Sequence, residues 1–204
     1  PLFSSAASDV YKRQAYQLVL GEAIAAIRVQ NIKGSFVLKL FETFTIVSLK
    51  IIYLISSFYD ESYICKPLFS RSSNSEKYLV CKGFKYDQVK DAKLLDKKIK
   101  NLEDILSSIN SDQYLQDIYP DLVLPSSYIE DFKFINIMIA NDQQIMINKI
   151  ITYIDGNNYY GDEYHAYKNK SIDATKWWND TFFVDKISVD NNMKYLKSIT
   201  DYNN

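Results

Sequence analysis

Gly34-Ser35-Phe36-Val37-Leu38-Lys39-Leu40-Phe41 and, further on, Lys66-Pro67-Leu68-Phe69-Ser70-Arg71-Ser72-Ser73-Asn74-Ser75-Glu76-Lys77-Tyr78-Leu79-Val80-Cys81-Lys82-Gly83-Phe84-Lys85 are the stretches on which the fold turns. Ser35 to Phe41 reads as a strand whose nearly continuous apolar run predicts burial on both faces. One charge interrupts it. An ammonium at Lys39 is costly in such a strand unless it is paired or put to use.

Between the two stretches, Thr43 is placed to cap a helix from Phe44 to Phe58, and Glu61 to Lys66 reads as a short strand stopped by Pro67. Strand, helix, strand in that order predicts a right-handed crossover between two parallel strands, hence an α/β fold. The loop from Leu68 to Ser75 is too short to hold a crossover helix, so the strand Glu76 to Phe84 must return antiparallel. Glu76 then lies at the same end of the sheet as Lys39, the carboxyl end of the parallel strands, where open α/β sheets bind ligands.

Outside this kernel the chain reads as helical. Leu18, Ala23, Ala26 and Ile27 give Ala15 to Gln30 an amphipathic pattern, closed by Asn31 and a Lys33-Gly34 turn. Leu95, Ile99, Leu102, Leu106 and Ile109 recur at three- and four-residue steps, predicting a helix from Val89 to Asn110 whose stripe faces a core or a partner helix. Further helices are expected from Tyr128 to Tyr153, from Glu163 to Trp178 and from Asp190 to Ile199. There is no internal repeat and no glycine-rich phosphate loop.

The chain has 204 residues, 47% apolar and 15% aromatic, enough material for a core. Its longest apolar candidate, Phe44 to Phe58, is too short to span a bilayer and holds Lys50, and its start lacks the pattern of a secretory signal. Cys65 and Cys81 sit in apolar runs without companion ligands, which suits reduced, buried thiols in an intracellular protein, and no metal is expected. Charge is divided: Lys33 to Lys100 holds 13 basic against 7 acidic residues, Asn101 to Glu163 only 2 against 11. A basic first half suits a phosphate-bearing partner, and the acidic stretch would repel one. His165 stands without a ligand cluster and reads as a surface or packing residue, and Trp177 and Trp178 read as packing groups rather than a cage for a methylated base.

Asp9-Val10-Tyr11-Lys12-Arg13-Gln14 is what GAT GTG TAT AAG AGA CAG encodes, a string resembling a transposon mosaic-end adapter. Residues 1–14 are therefore expected to be a sequencing scar, with the natural sequence entering near Ala15 as a fragment.

On residue types alone, Lys39 and Glu76 at the rim of a sheet are as readily a structural ion pair as an active site. The two quoted stretches, within Tyr16 to Lys85, resemble the FtsJ-like ribose 2′-O-methyltransferases, and among them the group that modifies mRNA caps. The resemblance implies a Rossmann-like S-adenosylmethionine-dependent methyltransferase fold, here its carboxyl-terminal strands only, the last antiparallel, with a helical extension. It implies a Lys-Asp-Lys-Glu tetrad around a ribose hydroxyl, in which Lys39 matches the second lysine and Glu76 the glutamate. Lys39 would orient and deprotonate the 2′-hydroxyl, which needs a pKa lowered toward ~7–8, or stabilise the developing oxyanion. Glu76 would hold the lysines in place, and Ser70, Arg71 and Asn74 would lie near the substrate RNA, Arg71 being suited to a phosphate.

Ser72 stands where the family usually has proline, Lys33 where it often has a second glycine, and Glu42 where aspartate is common. The first lysine, the aspartate, the glycine-rich loop and the acidic residue for S-adenosylmethionine are expected upstream of Ala15. The chain as written is thus expected to be inactive alone. Three segments follow: a scar at 1–14, the carboxyl-terminal part of a methyltransferase domain at 15–87, and a helical extension at 88–204 suited to a protein partner. The activity implied for the whole protein is methylation of the cap-proximal nucleotide of mRNA. Alternatives are ribosomal RNA methylation, or a degenerate domain kept as an RNA-binding or scaffold subunit.

Overall fold

The computed structural model describes residues 4–67, 70–109, 115–156 and 161–182, with side chains from Ala15 onward except that of Glu163. Its elements are α1 (Ser4–Val29), β1 (Phe36–Leu40), α2 (Ile46–Ser56), β2 (Tyr59–Cys65), β3 (Lys77–Phe84), α3 (Ala92–Ser108), α4 (Ser126–Asp155) and α5 (Asp162–Phe182). Two compact units are formed, Pro1–Ile147 and Asn148–Asn204. Within the first unit, Leu95, Ile99, Leu102 and Phe132 share one hydrophobic core with Leu38, Leu79 and Phe84.

In the first unit the sheet has the order β1-β3-β2, with β3 antiparallel to both neighbours. β1 and β2 thus run in one direction, as the crossover requires, but they do not pair with each other. β3 returns between them, where it forms an antiparallel ladder on each side. Phe36 faces Cys81 and Leu40 faces Lys77 on one edge; Tyr59 faces Phe84 and Cys65 faces Tyr78 on the other.

Burial alternates along β1 instead of covering both faces. Leu38 and Leu40 are buried, Val37 is 57% exposed and the Lys39 side chain 46% exposed. The apolar run misleads because α1, α2 and α3 carry their buried residues to the side holding Leu38, Leu40, Leu79 and Cys81, and leave the Val37–Lys39 side open among the described residues. Lys39 therefore needs no special licence to stay charged. The lysine that does is Lys77, opposite Leu40 on the inner face and 1% exposed, whose Nζ donates to the Phe41 carbonyl at 2.5 Å.

The α2 start also departs from expectation. Thr45, not Thr43, is the cap: its hydroxyl accepts from the Ser48 amide while the Ser48 hydroxyl accepts from the Thr45 amide, a reciprocal capping box. Tyr16 of α1 adds a 2.7 Å hydroxyl contact to Thr45. Thr43 is committed elsewhere, buried against α4, where its hydroxyl donates to Asn136 Oδ1 at 2.8 Å and its carbonyl accepts from Asn136 Nδ2 at 2.9 Å. Lys50 is buried within α2 and is held by Asp117 at 2.8 Å and the Tyr119 carbonyl at 2.6 Å.

The Lys33-Gly34 turn closes onto the end of β3, the Lys33 amide donating to Phe84 O at 2.7 Å and the Phe84 amide to Gly34 O at 3.0 Å. The predicted α3 stripe is core: Leu95, Ile99, Leu102 and Ile109 are buried. Cys81 is a buried free thiol, pushed up to about 12 by burial, and Cys65 is a half-buried one.

In the second unit, α5 buries none of its described side chains. Trp178 packs on Phe182 one turn later with ring centroids 4.3 Å apart, and His165 packs edge-on against Tyr164. The helix expected at Asp190 to Ile199 lies outside the described residues. No helix among the described residues is long and apolar enough to cross a membrane.

Candidate functional site

Alternation along antiparallel strands decides which side chains meet. Lys39 lies opposite Tyr78, so Glu76, two residues earlier, is its diagonal neighbour on the same face. The Lys39 ammonium sits 2.9 Å from Glu76 Oε2, with the Glu76 side chain 17% exposed. Phe41, two residues beyond Lys39, brings its ring to 4.9 Å from the same ammonium. The chain reversal and the strand period thus deliver the contact that the sequence placed at one end of the sheet.

Each member of the pair holds the other charged. The hydrogen bond to Glu76 raises the Lys39 pKa above its ordinary value, and hydrogen bonds from Lys39 and then from Ser70 hold the Glu76 carboxyl below its own. A Lys39 acting as proton acceptor needs the opposite shift. In this arrangement Lys39 is a fixed cation, suited to orienting a hydroxyl and stabilising an oxyanion. The depressed lysine is Lys77, lowered to about 8 by burial first and by the Lys66 charge second, but its side chain turns to the core and to the Phe41 carbonyl.

Of the loop residues, Ser70 and Asn74 join the cluster and Arg71 does not. The Ser70 hydroxyl donates to Glu76 Oε1 at 2.9 Å, and Asn74 Oδ1 accepts the Glu76 amide at 3.3 Å. Arg71 contributes its carbonyl to the Asn74 amide at 3.2 Å, while its guanidinium is exposed without a partner among the described residues. Sequence reasoning missed Lys66, whose Nζ lies within 3.2 Å of Ser70 Oγ and Asn74 Oδ1 and also reaches the carbonyls of Asn74 and Glu76. The only signal was its position as the last residue before Pro67 in the quoted stretch.

Neither of two surface cavities, one of about 530 Å³ lined by Leu54, Phe58, Lys98 and Ile105 and one of about 390 Å³ lined by Ile52, Tyr63, Tyr128 and Phe132, is lined by Lys39 or Glu76. Among the described residues no group of three His, Cys, Asp or Glu is placed to hold a metal.

Residues 3–84, which hold the Lys39–Glu76 pair and the Ser-Arg-x-x-Asn loop that leads into the glutamate, match the family described as FtsJ-like methyltransferase. The match takes in most of the stretch 1–14 set aside above. Cap-specific mRNA (nucleoside-2′-O-)-methyltransferase 1 of Trypanosoma cruzi is 43% identical over 68 residues, 33% of this chain and 19% of that protein. The protein of the same name from Bos taurus is 33% identical over 131 residues, 62% of this chain and 14% of its own length. An inactive cap-specific mRNA (nucleoside-2′-O-)-methyltransferase 1B of Caenorhabditis briggsae is 24% identical over 164 residues, 79% of this chain and 19% of that protein. The chain therefore spans less than a fifth of the length of these relatives.

Proposed function

We propose that the whole protein is an S-adenosylmethionine-dependent RNA ribose 2′-O-methyltransferase acting on the cap-proximal nucleotide of mRNA. The observation that carries this reading is the 2.9 Å Lys39–Glu76 contact on the exposed face of β1 and β3, at the end of the sheet where the Lys66–Glu76 loop also lies. In this proposal the three strands are one flank of a larger Rossmann-like sheet, whose further strands pair with the free edge of β1.

Lys39 presents its ammonium to the 2′-oxygen of the acceptor ribose, orienting the hydroxyl and stabilising the negative charge that develops as its proton leaves. Glu76 fixes the direction of that ammonium, and Ser70 fixes Glu76. Arg71, exposed and unpaired among the described residues, takes an RNA phosphate. S-Adenosylmethionine supplies the methyl group. The described glycines of the first unit do not form a cradle for that cofactor: Gly34 and Gly83 are closed off by the side chains of Gln30 and Asp60, and Gly21 lies inside α1. No step is therefore assigned to cofactor contacts in this chain, and its site is ascribed to other residues of the protein.

The degenerate scaffold reading keeps a place because a relative covering 79% of the chain is named inactive. Methyl transfer by the full-length protein to capped and uncapped RNA decides between them. Transfer to capped RNA, reduced about a hundredfold or more by Lys39→Ala and by Glu76→Ala, is the expected result. Equal transfer to uncapped RNA would point to a ribosomal type of substrate, and RNA binding without transfer to a scaffold.

A further inference from the structure

Lys66 directly follows β2 and precedes Pro67, which biases its backbone toward extended conformations. Its half-buried ammonium lies 2.9 Å from Glu76 O, 3.0 Å from Asn74 O, and 3.2 Å from both Asn74 Oδ1 and Ser70 Oγ. Three N–H groups meet four oxygens, so at least one bond is shared. None of the four is a carboxylate oxygen. Ser70, Asn74 and Glu76 thus solvate this cation with neutral oxygens.

Those oxygens belong to the groups that fix Glu76. Ser70, which accepts from Lys66, donates to Glu76 Oε1, so the Lys66 charge polarises the hydroxyl toward the carboxylate. Asn74, gripped by Lys66 at both oxygens, accepts the Glu76 amide, and Lys66 takes the Glu76 carbonyl directly. We infer that Lys66 is the positioning residue of the Glu76 carboxylate, holding it toward Lys39 through Ser70 and Asn74 without touching the substrate. The inference rests on the reading that Lys39 and Glu76 serve methyl transfer. The Lys66 charge also adds to the lowering of the Glu76 pKa, behind the hydrogen bonds from Lys39 and Ser70.

The test is a double-mutant cycle in the full-length protein, with capped RNA and S-adenosylmethionine and enzyme in excess so that residual rates are measurable. Lys66→Met is expected to lower kcat about ten- to a hundredfold while the KM for RNA changes less than about threefold. Added to Glu76→Gln, it is expected to cost less than about twofold more, because the group it positions is already gone. Losses that multiply, or a wild-type rate in Lys66→Met, would overturn the inference. If Lys66→Met does not fold, Lys66→Arg takes its place in the cycle. Arginine keeps the charge, but its flat guanidinium cannot converge on four oxygens around one point, so a kcat loss that vanishes in the Glu76→Gln background is again required. A wild-type protein without transfer would sink the functional reading alone. Carboxyl NMR titration of Glu76 then decides for Lys66: its midpoint rises in Lys66→Met if the inference holds, and an unmoved midpoint refutes it.

Discussion

Thr43 and Asn136, 93 positions apart, are joined by two hydrogen bonds inside the core, hydroxyl to amide oxygen and amide nitrogen to carbonyl. Thr43 lies two residues beyond Phe41 in the segment leaving the Lys39 strand, so α4 anchors the loop that follows the candidate site. Asn136→Ala leaves the Thr43 hydroxyl and carbonyl buried without partners and is expected to cost about 2–4 kcal/mol in urea denaturation. Thr43→Val in the Asn136→Ala background should cost less than in the wild type. Simple addition of the two losses would show that the contact is not the source.

Lys77 is expected to imprint a rise of stability at alkaline pH. Its folded pKa is lowered from 10.5 to about 8, chiefly by burial, so between those values the unfolded chain holds a proton that the folded chain has released. The Lys77 contribution therefore climbs as pH passes from 8 toward 10 and is flat, with the burial penalty fully present, below 8. The rise is at most on the order of 3 kcal/mol. Denaturation across this range should show it, and Lys77→Met should abolish it; an unchanged climb in that variant would place its origin elsewhere.

Lys33 adopts φ 63, the left-handed conformation in which a side chain is strained. Its ion pair with Asp60, at 2.8 Å, is mostly exposed and adds little. Lys33→Gly keeps the backbone bond to Phe84 O and is expected to be neutral to stabilising, up to about 1 kcal/mol by chemical denaturation. A loss larger than that would mean that the Asp60 pair outweighs the strain.

The meeting of Lys39 with Glu76 was legible because it follows from two rules that need no tertiary detail: a short loop forces reversal, and alternation puts diagonal residues on one face. The one-sided burial of β1 was not, since an apolar run records what a strand would tolerate and not which side other helices will cover. The insertion of β3 between β1 and β2 was hidden for a similar reason, because chain reversal fixes direction and leaves the choice of edge to packing. Lys66 escaped notice because two of its four acceptors are backbone carbonyls, which any residue supplies. Asn136 carries no signal in its own helix beyond a polar residue on the turn between Phe132 and Ile139.

The placement of β3 at the centre sets an order of assembly. Neither β1 nor β2 has a ladder partner among the described strands until Phe84 has been synthesised, about forty residues and some seconds after Leu40. Through that interval the nascent chain carries two unzipped strand edges and the apolar faces of α1 and α2. A ribosome stalled anywhere before Lys77 would leave a strand-prone, aggregation-prone peptide, because β3 is itself the last stretch translated before the sheet can close.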